Sequence, residues 1–158
     1  MLSFAAQHKG MSLRQVVTDY HAKADPKAVI DYGFHLIVSD PTEQVLGQEL
    51  PALIRDGYSS FKIYMTYDAL KLNDREILDV FSLARREGAF VLVHAENHDT
   101  IAWLSQKLLD AGHSAPKFHE VSRPQPVERE ATHRAITFAE LVDVPILIVH
   151  VSGEEAVN

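Results

Sequence analysis

The sequence contains no cysteine. Neither a disulfide framework nor a thiolate metal site is therefore available, and the composition fits a cytoplasmic protein. No apolar run approaches the roughly 20 residues that a membrane-crossing helix needs, so no membrane association is expected. The opening residues, Met1-Leu2-Ser3-Phe4-Ala5-Ala6, have neither the basic start nor the length of a secretory signal. Basic residues are scarce too: 15 Lys and Arg stand against 22 Asp and Glu, a formal net charge of -7. With no basic stripe to neutralise phosphates, nucleic acid is not an expected partner. Internal repeats and low-complexity segments are missing as well. What is present, 158 residues of which 46% are hydrophobic and 23% charged, suits one globular domain with a sizeable core.

Hydrophobic periodicity divides the chain into alternating strands and helices. Leu2 to Ala6 reads as the tail of a strand. Ser12 with Gln15 reads as a capping box opening a helix to about Lys23, which Asp25-Pro26 stops. Val29 to Val38 reads as a buried strand, and Asp40-Pro41-Thr42-Glu43 as the start of a helix that Gly57 closes. A strand around Lys62 follows. Asn73 then caps a helix that places Ile77, Val80, Phe81 and Ala84 on one face and ends at Gly88. Ala89 to His94 is a further strand, His98 to Ala111 a helix, and Ser114 to Pro126 an exposed loop. Val127 to Val142 is a long helix and Val144 to His150 the last strand. The charged run from Arg123 to Arg134 reads as a solvated helix face. Strands apolar on both faces, separated by helices, predict an α/β fold of parallel βαβ units.

One residue breaks the pattern. Lys62 interrupts the apolar run Ser59-Ser60-Phe61-Lys62-Ile63-Tyr64-Met65-Thr66-Tyr67, and lysine is rarely buried unless something pairs with it. Either its stem snorkels to the strand edge or its nitrogen has a special partner. Two further apolar strands, ending at His94 and His150, deliver imidazoles to the carboxyl ends of strands, where ligands bind in α/β sheets and barrels. Imidazole is a common zinc ligand. An ammonium cannot ligate, but a neutral amine that has reacted with carbon dioxide becomes a carbamate able to bridge two metals. A Schiff-base lysine is the competing chemistry, although it does not require two strand-end histidines. Nine histidines occur in all. His8, His21, His35, His98, His113, His119 and His133 have no strand-end placement and are not expected ligands.

The residues around these positions resemble the D-hydantoinases and dihydropyrimidinases, cyclic amidohydrolases of the amidohydrolase superfamily. The resemblance runs through Phe4-Ala5-Ala6-Gln7 with Gly10 and Ser12-Leu13, the Lys62 segment, and Val93-His94-Ala95-Glu96-Asn97. It continues through Ser122-Arg123-Pro124 with Glu128 and Glu130-Ala131, and ends at Val149-His150-Val151-Ser152. It implies a (β/α)8 TIM-type barrel and two Zn2+ ions bridged by N6-carboxylated Lys62. His94 and His150 would ligate the more exposed metal, and Tyr67 would donate to the oxyanion when a ring carbonyl is attacked. The substrate implied is a small cyclic amide, a hydantoin or dihydropyrimidine opened to an N-carbamoyl amino acid, and the assembly implied is a homotetramer. Beside these roles, a plain loop aromatic is the lesser reading of Tyr67, and Asn97 reads as a helix cap. Glu96 either orients His94 or lies on the surface.

Two parts of the family pattern are not found. No His-x-His pair occurs in these residues, although the family carries one at the end of the first barrel strand. No region corresponds to the later aspartate that ligates metal and serves as general base. With about four strands and a stub where a closed barrel has eight, the expectation is that residues 1–158 are a central fragment of a barrel. Such a fragment retains at most the Lys62, His94, His150 half-site and turns over weakly or not at all. Alternatives are an allantoinase- or dihydroorotase-type enzyme, or a non-catalytic hydantoinase-like scaffold or assembly protein.

Overall fold

A computed structural model describes all residues from 1 to 158. Five parallel strands form one sheet in chain order: β1 (Leu2–Ala6), β2 (Gly33–Ile37), β3 (Ser60–Tyr64), β4 (Phe90–His94) and β5 (Ile146–Ile148). Parallel neighbours need crossovers, and helices supply them: α1 (Leu13–Ala24), α2 (Leu50–Arg55), α3 (Asp74–Glu87), α4 (His98–Asp110) and α5 (Gln125–Val142). A short α6 (Glu154–Val157) follows β5. Sequential strand order with a helix after each strand is the arrangement of a barrel wall, and five strands make a partial one. No helix is long and apolar enough to cross a membrane.

Strand alternation assigns each side chain to one of two faces. Ala5, Leu36, Phe61, Ile63, Val91 and Val93 point to the helix side and are fully buried. There they meet Val16 of α1, Ile77, Val80 and Phe81 of α3, and Ala131 and Ala135 of α5 in one core. The opposite face carries Leu2, Phe4, Lys62, Tyr64, Phe90, Leu92, His94 and Leu147, and it is less covered. Leu2 is 64% exposed and Leu147 47%, while Lys62 is 6% and His94 8% exposed. The two faces thus divide into a packed core and a surface that shelters only its central residues.

The helix signals follow the expected chemistry. The Ser12 hydroxyl accepts from the Gln15 amide at the start of α1, although the Gln15 side chain turns to Asp19 instead of completing a capping box. Asn73 and Glu76 do form the reciprocal box at α3, and Gly88 ends that helix with φ 70°, a conformation glycine adopts without a Cβ penalty. Before α2, residues Val45–Glu49 form a π-helical turn. The change to α-helix coincides with Pro51, which has no N–H to return to Gly47.

Several boundaries differ from the sequence expectation. Val29 and Ile30 are 94% and 64% exposed, outside β2, because the chain joins the sheet only at Gly33, whose N–H donates to the Met1 carbonyl. The segment read as a loop from Ser114 to Pro126 holds two 3-10 turns, Pro116–Phe118 and Glu120–Ser122, and its last two residues already belong to α5. Proline suits the first turn of a helix, where its missing N–H has no partner to lose. β5 is three residues long and stops before His150.

Candidate active site

The carboxyl ends of β3 and β4 bring the first site residues together. Tyr64 and His94 are register partners, so their side chains share a face and stack, with ring centroids 5.3 Å apart. Beyond β5 the ladder continues for one bond, Val149 N–H to Val93 carbonyl. The chain then bends at His150, whose φ of 42° lies in the left-handed region. That bend sets the His150 ring 4.5 Å from the His94 ring. Tyr67, with φ 71°, sits on a turn pinned by bonds from Leu70 and Lys71 to its own carbonyl, and its ring meets His94 edge-on at 5.1 Å. Left-handed backbone at two non-glycine residues is a conformational cost concentrated at the cluster.

Lys62 lies two residues upstream on the same face. Its Nζ is 5.0 Å from the Phe4 ring centre and 4.8 Å from that of Tyr64. The nitrogen therefore does not snorkel to solvent. It is held among aromatic faces with no carboxylate paired to it, and burial pushes its pKa down from the usual 10.5. His150 is shifted down as well, by burial first and then by the neighbouring His94 and Lys62. Although His150 as a residue is exposed, its ring is partly covered by His94.

Glu96 is not a surface residue. Its carboxylate accepts from His94 Nε2 at 2.6 Å and from Arg123 Nη1 at 2.8 Å, both through Oε2. Burial raises its pKa, but these hydrogen bonds and charges outweigh burial and hold it below the usual carboxylate range. With Nε2 committed to Glu96, the His94 nitrogen left free is Nδ1. Asn97 is a cap, as expected: its side chain accepts from the Thr100 amide at the start of α4.

Two contributors escaped the sequence reading. Arg123, expected on a solvated helix face, is 20% exposed and lies over the Tyr67 ring. Glu128, from the same stretch, accepts from Ser152 N–H at 2.9 Å and from Gly153 N–H at 2.6 Å, so it ties down the segment that follows His150. A Cβ on Gly153 would meet Glu128 Oε2 at 2.9 Å, closer than real Cβ atoms approach. In Glu128→Ala, amide exchange at Ser152 and Gly153 is expected to accelerate on the order of tenfold or more, with the core amides of β3 unchanged. Hydrogen-exchange mass spectrometry or NMR reads this directly, and unaltered protection at Gly153 would contradict it.

These residues border a cleft of about 480 Å³ lined by Tyr67, His94, Glu96, Arg123, Glu128 and His150, among others. A larger cleft of about 620 Å³, at the N-termini of α3 and α4, includes none of Lys62, Tyr67, His94 or His150. No set of three or more His, Cys, Asp or Glu side chains is gathered closely enough to hold a metal ion. The donors brought together are two imidazoles and one buried amine.

A parallel α/β wall with its polar cluster at the strand carboxyl ends defines a section of a (β/α)8 barrel. No protein-family model matches the chain. The sequence is 42% identical over 160 residues to D-hydantoinase of Geobacillus stearothermophilus, covering all of this chain and 34% of that protein. It is 40% identical over 158 residues to dihydropyrimidinase of Rattus norvegicus, covering 99% of this chain and 30% of the relative. Among solved structures, a D-hydantoinase superposes with a TM-score of 0.95 at 42% identity, and dihydropyrimidinase from Brevibacillus agri with 0.95 at 40%; each match covers 99% of this chain and 34% of the other. The chain belongs to the D-hydantoinase and dihydropyrimidinase family, and it spans about a third of the length of these relatives.

Proposed function

We propose that this chain contributes part of the active site of a metal-dependent cyclic amidohydrolase, which opens hydantoin or dihydropyrimidine rings to N-carbamoyl amino acids. The observation that carries the reading is Lys62: a buried amine without a carboxylate partner, on the same face as two adjacent imidazoles. An amine whose burial favours the neutral form is suited to attack carbon dioxide. The N–C bond forms as one C=O π bond of carbon dioxide opens, the nitrogen gives up one proton to solvent, and the neutral amine becomes an anionic, two-oxygen donor. Lys62 as carbamate, His94 through Nδ1 and His150 are the donors offered to Zn2+, and they fit it as a nitrogen and oxygen set. Metal bound there would supply a Lewis acid for the ring carbonyl and lower the pKa of a water.

The chain's own residues orient and stabilise. Glu96 fixes the His94 ring so that Nδ1 faces away from the carboxylate. The Tyr67 hydroxyl is the proposed hydrogen-bond donor to the oxyanion that forms on the ring carbonyl oxygen, where a positioned donor is worth roughly 3 kcal/mol of the barrier. The His-x-His pair and later aspartate of the family pattern do not occur in these residues, so the chain by itself is proposed to bind metal weakly and turn over slowly or not at all. A homotetrameric whole protein in the cytoplasm is the assembly proposed with this activity.

The test combines zinc titration of the purified chain with hydantoin and dihydrouracil ring-opening assays. The expected result is measurable zinc binding that is strengthened by bicarbonate, with an isotopically labelled carbamate signal at Lys62. A chain that binds no zinc under any bicarbonate concentration would favour a non-catalytic scaffold instead.

A further inference from the structure

Arg123 is the one Lys or Arg side chain lining the cleft, and the proposed reaction gives it no role. It reaches the cluster from the turn ahead of α5, and its Nη1 donates to the Glu96 oxygen that also accepts from His94 Nε2. Its guanidinium carbon lies 5.7 Å from the centre of the Tyr67 ring, and that ring in turn touches His94. The four residues close a circuit: His94 to Glu96 to Arg123 to Tyr67 and back to His94. Arg123 Nε is buried without an acceptor. An unsatisfied N–H costs free energy, so the side chain is not placed there to satisfy its own donors. A planar guanidinium can bond a carboxylate with its edge while stacking on a ring with its face, which a lysine cannot.

We propose that Arg123 is a positioning residue that joins the two halves of the site. Through Glu96 it keeps the His94 ring turned with Nδ1 free, and through its face it clamps the left-handed Tyr67 turn against that ring. The proposal rests on the reading that His94 and Tyr67 act in this site, and it predicts a coupling that a surface ion pair would not produce.

The experiment is NMR of the full chain with labelled histidine and tyrosine, for the wild type, Arg123→Ala and Arg123→Lys, followed by zinc titration. In the wild type His94 is expected as the Nε2–H tautomer. Arg123→Ala should mix the His94 tautomers, move the Tyr67 ring signals toward solvent values, and weaken zinc binding by about 10- to 100-fold. Arg123→Lys should preserve the His94 tautomer yet release Tyr67. In a Glu96→Ala background, Arg123→Ala should have no further effect on the His94 tautomer, while still releasing Tyr67. Unchanged His94 and Tyr67 resonances in a folded Arg123→Ala would overturn the proposal. If that variant does not fold, an unmoved Tyr67 ring in Arg123→Lys overturns it equally. A wild-type chain that fails to bind zinc would defeat the metal reading alone, because the tautomer and ring signals are read without metal.

Discussion

Lys62→Met is expected to abolish zinc binding while leaving the metal-free fold at least as stable as the wild type. The two effects have one origin. The Lys62 stem fills space on the inner face of β3 between Phe4 and Tyr64, and its nitrogen meets ring faces where a carboxylate would normally sit. Those rings return about 0.5–2 kcal/mol of cation–π attraction, against a penalty of several kcal/mol for a buried ion. Methionine keeps most of the volume and removes the charge, so packing survives and desolvation is relieved. The sign with pH follows from the lowered pKa. Between the folded value and the unfolded 10.5, the unfolded chain binds more protons than the folded one. Wild-type stability therefore rises with pH across that window, and the methionine variant lacks the rise. Urea denaturation at neutral and alkaline pH separates the two proteins. Zinc at a hundredfold excess over Kd should add about 2.7 kcal/mol to the wild type and nothing to the variant. A variant stabilised by zinc as strongly as the wild type would remove Lys62 from the metal site.

Lys62 also shows what made this site readable from sequence. A charged residue inside an apolar strand is a local contradiction, and strand periodicity alone assigns it to a face. The histidines at 94 and 150 were visible for a similar reason, as polar ends to runs of Val, Leu and Ile. The helix caps at Asn73 and Asn97 were legible because capping is a contact between residues three apart. Arg123 and Glu128 were not. Their partners, Glu96 and the Ser152–Gly153 amides, lie more than twenty residues away, and in a helix-forming run such charges look solvated. Val29 and Ile30 failed in the opposite direction: their β-branched chemistry predicts a strand, whereas the chain there is still approaching the sheet and both are exposed. Local chemistry thus announces strands, caps and misplaced charges, while the carboxylates that organise loops are identified only once the sheet has brought distant segments together.

Glu49 is the strongest instance of that second kind, and its removal is expected to be costly to the fold. In sequence it is one acidic residue among several in a helix. In the structure it is 5% exposed, and it closes the N-terminus of a different helix, α1. Its Oε2 accepts from Leu13 N–H at 2.6 Å, the Ser12 hydroxyl at 3.1 Å and Arg14 N–H at 3.3 Å, and Oε1 accepts from the Gln44 amide at 2.8 Å. These are the donors a helix start cannot satisfy internally, and the carboxylate also faces the positive end of the helix dipole. Burial opposes ionisation, but the bonds from Arg14, Ser12, Leu13 and Gln44 together prevail and keep the pKa below 4.5. Glu49→Ala should cost about 3 kcal/mol, since each hydrogen bond to a charged group is worth roughly 1.5–3 kcal/mol and solvent recovers part of the loss. Because the folded pKa is depressed, the contribution is complete above the unfolded value near 4.5 and disappears as pH falls through the folded value. The gap between wild type and Glu49→Ala in urea denaturation should therefore be full at pH 7 and narrow steadily in acid. A gap of the same size in strong acid would mean that the carboxylate's charge contributes nothing, and that packing alone joins the turn before α2 to the start of α1.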